Sequence, residues 1–92
     1  MQGIPIAISQ RIYLSEFKET RDTLDQRYCE FASQIGGIPF PVPNNLGLKI
    51  ENWLKIISPK GIILSGGNDI GTFDSRDKTE LLLIKYSLKN RI

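Results

Sequence analysis

Chemistry could first be staged at two adjacent glycines that follow an apolar run, in Gly61-Ile62-Ile63-Leu64-Ser65-Gly66-Gly67-Asn68-Asp69. Without a Cβ, the backbone there can approach a ligand closely and turn its N–H groups towards an anion or a developing oxyanion. The same pair can equally make an ordinary tight turn. Two more polar segments follow apolar runs: Ser9-Gln10-Arg11 after Ile4–Ile8, and Pro43-Asn44-Asn45 after Ile38-Pro39-Phe40-Pro41-Val42. Neither G-x-G-x-x-G nor G-x-x-x-x-G-K-[ST] occurs, so no specific phosphate cradle is present. A phosphoacceptor receiver domain would need acidic residues after its first strand, where this chain has Ser9-Gln10-Arg11.

Other residue types narrow the chemistry further. The sequence has no histidine and one cysteine. It cannot by itself build a Ser-His or Cys-His pair, a usual zinc site or an internal disulfide. No metal and no cofactor are expected. Cys29 follows Tyr28 on the apolar side of a helical pattern, where a buried structural thiol is expected. Trp53, in helical register with Ile50 and Ile57, reads as core. Arg21, Asp22 and Asp25 read as capping and solvated charges in the first turns of the first helix. Arg76 and Asp77 could swing towards the segment after the third apolar run, although helix-start electrostatics explain Asp77 equally well.

The whole chain has 92 residues, 40% hydrophobic and 24% charged, and so describes at most one globular domain rather than a disordered tail. At this length only about 60–65% of the unfolded surface is buried. The net charge of +2 is small and its cations are scattered. Lys85, Lys89 and Arg91 suit a helix C-terminus better than a nucleic-acid patch. No signal-like start and no apolar run of membrane length occur, so a cytoplasmic protein without nucleic-acid or membrane partners is expected.

Three units of one design position the polar segments. Leu24, Tyr28, Phe31, Ala32 and Ile35 predict a first helix ended by Gly36-Gly37. A ragged strand with two prolines follows and suits a sheet edge. Asn44 or Asn45 then caps a helix whose apolar face is Leu46, Ile50, Trp53, Leu54 and Ile57, stopped at Ser58-Pro59-Lys60. The third run is apolar on both faces, as parallel strands are. Asp74 or Ser75 caps a last helix. The alternation of strand and helix predicts an α/β, three-layer, parallel sheet of flavodoxin-like type with strand order 2-1-3. Open α/β sheets bind ligands beyond the carboxyl ends of their strands, where all three polar segments should meet, although loops are commonly polar and glycine-rich in any case. Strand starts near Ile4, Ile38 and Ile62 predict another near Ile92, so a fourth unit is expected and the sheet reads as incomplete.

The order Ser9-Gln10-Arg11, Thr20-Arg21-Asp22-x-Leu24-Asp25-Gln26-Arg27-Tyr28, Pro43-Asn44-Asn45, Ser65-Gly66-Gly67-Asn68-Asp69 and Arg76-Asp77-x-x-Glu80 carries a family resemblance. The chain resembles the N-terminal part of a class I glutamine amidotransferase-like protein of the gamma-glutamyl hydrolase branch, over nearly all of residues 1–92. The resemblance implies hydrolysis of a γ-glutamyl C–N amide bond in a small molecule through a cysteine thioester. It implies an oxyanion donor at the backbone N–H of Gly67, with Gly66 and Asn68 shaping the turn. It also implies substrate contacts from Asn68, Gln10 and Arg11, since arginine pairs with carboxylates in a bidentate way.

The chain departs from that pattern at Asn90-Arg91-Ile92, where the strand leading to a Gly-x-Cys-x-Gly elbow is expected. The nucleophile and the later His and Glu are absent, and Cys29 lies in the wrong unit without a base. A fragment inactive alone is therefore expected. A non-catalytic binding or regulatory half-domain completed by a C-terminal partner chain, or a gene remnant, are the alternatives.

Overall fold

A computed structural model describes residues 3–92. Met1 and Gln2, part of the segment searched for a leader, lie outside the described residues. Strand β1 (Ile4–Ile8) is central, with β4 (Gly37–Pro41) parallel on one side and β5 (Gly61–Ile63) parallel on the other. Ile4 stands opposite Gly37 and Ile8 opposite Pro41, while Ile6 to Ile8 face Gly61 to Ile63. This is the expected order, with the proline-bearing strand at an edge.

The helices cover both faces. Connections that run in opposite directions along a sheet must pass over opposite faces if both crossovers are right-handed. The cores divide as that rule demands. Ile6 and Ile8 pack with Ala32 of α1 (Gln26–Gln34). Ala7 points the other way, to Val42 and to Ile50 and Leu54 of α2 (Ile50–Ile57) and Leu83 of α3 (Asp74–Asn90). The result is three layers. No helix among the described residues is long and apolar enough to cross a membrane.

Several local expectations are corrected. Arg21 and Asp22 do not begin the first helix but belong to β3 (Thr20–Thr23), antiparallel to β2 (Arg11–Leu14). The Ser15 N–H donates to the Glu19 carbonyl at 2.9 Å, and the Ser15 hydroxyl accepts from the Glu19 N–H at 3.0 Å, which closes this hairpin. Asp25 alone keeps the capping role, accepting from the Arg27 N–H at 2.9 Å. Cys29 is half-buried rather than fully enclosed.

Neither Asn44 nor Asn45 caps the second helix. A 3₁₀ turn (Gly47–Lys49) leads straight into α2, and Asn44 is used elsewhere. Ser58, at φ 49°, ends α2 where the Ser-Pro-Lys stop was expected. Neither Asp74 nor Ser75 caps α3: Phe73 occupies the cap position without a side-chain bond. Asp77 reaches back instead and accepts from the Gly71 N–H at 2.8 Å.

Candidate functional site

The three polar segments do converge, at the carboxyl ends of β1, β4 and β5. The backbone carries the strands into this rim: the Val42 N–H donates to the Ile8 carbonyl at 2.9 Å and the Ser9 N–H to the Ile63 carbonyl at 3.0 Å. The first connection runs from β1 to β4 and the second crosses back from β4 to β5 on the other side of β1, and this class of sheet binds ligands beyond the carboxyl ends of its strands. Ser9-Gln10 and Ser65-Gly66-Gly67-Asn68 lie at the adjoining ends of β1 and β5.

Gly66 and Gly67 form the exposed tip. Gly67 adopts φ 133°, a region that favours glycine. A Cβ there would fall 2.9 Å from both Cβ and Cδ of Arg11 and 3.1 Å from its Nε. Any larger residue would thus meet backbone strain and a clash together. The Gly66 N–H donates to the Tyr28 hydroxyl at 3.3 Å. Among the described residues the Gly67 N–H has no acceptor.

The flanks of this tip are heavily bonded. The Ser65 N–H donates to Ser9 Oγ at 2.9 Å, and Ser9 Oγ donates to Glu80 Oε2 at 2.8 Å. Arg76, 3% exposed, donates from Nη2 to the Ser65 carbonyl and, at 3.1 Å, to Glu80 Oε2. Arg76 thus faces the rim, as one reading of the sequence allowed. Asp77 points instead at the start of its own helix.

Of the three expected substrate contacts, Asn68 and Gln10 have other partners. Asn68 Oδ1 accepts from the Ile12 N–H at 2.7 Å, and Asn68 Nδ2 donates to the Ile12 carbonyl at 3.1 Å, so one carboxamide pairs with β2 as a neighbouring strand would. Gln10 Nε2 donates to the Val42 carbonyl at 3.0 Å. Arg11 is exposed, forms no ion pair among the described residues and lies across Gly67.

Asn44, only 4% exposed, ties the hairpin to the other side of the rim. Its Nδ2 donates to Asp22 Oδ1 at 2.9 Å and to the Gln10 carbonyl at 3.1 Å, and its N–H donates to Asp22 Oδ2 at 3.1 Å. An open, mainly apolar cleft of about 520 Å³ lies beside it, between residues 44–48 and the first turns of α3.

Sequence reasoning put Ser9 and Ser65 in the rim segments without a role, and missed Tyr28 and Glu80 as members of the site and Asp22 as a tie. Only the Arg76-x-x-x-Glu80 spacing, one helical turn, could have signalled part of it. Chemically, the arrangement offers a free backbone N–H and an unpaired guanidinium, suited to an anionic or carbonyl-bearing ligand. Among the described residues no three His, Cys, Asp or Glu side chains gather as a metal ion would require. The chain matches no protein-family model and no curated protein sequence.

Proposed function

We propose that this chain acts as the N-terminal part of a glutamine amidotransferase-like gamma-glutamyl hydrolase domain. In this reading the Gly67 N–H binds the oxyanion formed when a cysteine on another stretch of polypeptide attacks a γ-glutamyl amide. Arg11 faces a carboxylate of the small-molecule substrate, while Gln10 and Asn68 shape the rim around it. The single cysteine suits a reducing cytoplasm.

The observation that carries the reading is the acceptor-free N–H of Gly67, held at φ 133° beside Arg11 beyond the carboxyl ends of β1 and β5. The expected outcome is twofold. Alone, the chain releases neither ammonia nor glutamate from a γ-glutamyl amide. In an assembly with a polypeptide carrying the cysteine elbow, His and Glu, Gly67→Ala lowers kcat about 10²–10³-fold with KM little changed. Enzymatic release by the chain alone, or full activity with Ala at position 67, would overturn the reading.

A second reading is favoured by β5, whose outer edge pairs with no strand among the described residues and which leads into half-exposed Leu64. A binding or regulatory half-domain, completed by a partner chain along that edge, accounts for it.

A further inference from the structure

We infer that Arg76 is a positioning residue for the Gly66-Gly67 tip, and that Glu80 and Ser9 hold Arg76 in that task. The use of the tip rests on the oxyanion reading above, whereas the clamp itself stands on geometry alone.

Ser65, the residue before the glycines, is gripped at both backbone polar groups by one closed ring. Its N–H donates to Ser9 Oγ, which donates to Glu80 Oε2. The same carboxylate oxygen accepts from Arg76 Nη2, which also donates to the Ser65 carbonyl. On the far side of the tip, Arg76 Nη1 makes a long contact of 3.5 Å with Asn68 Oδ1. One planar guanidinium therefore touches the residues on either side of the glycine pair. Only its fork of donors can do so, because a lysine ammonium has no such fixed spread.

Two adjacent glycines have the widest backbone freedom of any dipeptide, so an N–H between them points one way only if its flanks are fixed. Arg76 is also an expensive way merely to fill space. Burying a charge costs free energy even when it is paired, and apolar replacement of a buried pair is often neutral or stabilising. A filler role and an aiming role therefore predict different results for the same substitution.

The test is amide relaxation by NMR on this chain, comparing wild type with Arg76→Lys, Ser9→Ala and the double variant Arg76→Met/Glu80→Leu. In wild type, Gly66 and Gly67 should show order parameters near the rigid-backbone value of about 0.85, falling below about 0.6 in Arg76→Lys and in the double variant. Ser9→Ala, which leaves Arg76 on the Ser65 carbonyl, should give a smaller fall. Ala7 and Ile8 amides should not change in any folded variant. If the glycine amides stay as ordered as in wild type while only the denaturant midpoint moves, or if they are already mobile in wild type, the inference is overturned. Should the double variant not fold, Arg76→Lys and Ser9→Ala decide. Failure of the oxyanion reading would appear separately, as full activity in the Gly67→Ala assembly.

Discussion

The two flanks of β1 are built on different terms. On the β4 side the strand carries Pro39 and Pro41, which cannot donate to a further strand, and Val42 behind it is fully buried against α2 and α3. On the β5 side the strand has three residues and no proline; in neither strand is a residue fully buried. Leu64 follows it at 44% exposure, and the neighbouring helix α3 exposes Ile84 at 41% and Leu88 at 75%. One edge carries prolines that block a further strand and the other does not. A helix face that stays apolar beyond its own core contact is suited to a further covering element. The glycine tip lies at the end of the proline-free flank, so the candidate chemistry and the candidate partner edge share one side of the molecule.

Adjacent residues of α3 should expose that contrast most strongly. Leu83, at 0% exposure among Ala7, Val42, Ile50 and Leu54, should lose about 2–5 kcal/mol on change to Ala. Ile84→Ala should cost under about 0.5 kcal/mol in the free chain, as an exposed position does. Urea unfolding of both variants checks the pair, and equal losses would break the comparison.

The hairpin is tied to each flank by one polar side chain, and the ties should differ in strength. Asn68→Ala leaves the N–H and carbonyl of buried Ile12 without partners and should cost about 1–3 kcal/mol. Asp22→Ala removes an exposed carboxylate from Asn44 and should cost less, about 0.5–1.5 kcal/mol. Hydrogen exchange at Ile12 and Asn44 would report each tie separately.

The smallest effect belongs to the cap of α1. Its hydrogen bonds with Arg27 lower the Asp25 carboxyl from its ordinary 3.8 to about 2. A carboxyl depressed by folding stabilises the fold fully above its ordinary value and loses that contribution as pH falls through the folded one. The stability gap between wild type and Asp25→Asn should therefore be constant above pH 3.8 and close towards pH 2. Paired acid titrations followed by circular dichroism measure it.

The parallel sheet was legible in the sequence because its signals are local: short apolar runs, Gly36-Gly37, and a Ser-Pro-Lys stop. The hairpin was not, because Thr20-Arg21-Asp22-Thr23 carries the polar pattern of a helix start as readily as that of an exposed strand. Asn44 looked like a cap for the same reason, since one carboxamide serves equally to cap a helix or bridge loops. The convergence at the rim followed from topology alone. The ring around Ser65 did not, because Ser9 and Glu80 stand 71 positions apart and Arg76 reaches 11 residues back. No local pattern records such a bond.

Asn68's imitation of a strand has one consequence for alignment. Among the described residues no third strand pairs with this ribbon, and a slide of one residue would turn Ile12 outwards. The carboxamide engages both polar groups of Ile12 and of no other residue in β2, so it acts as an indexing pin for the whole ribbon. Arg11, next to the pinned residue, owes its place over Gly67 to that pin.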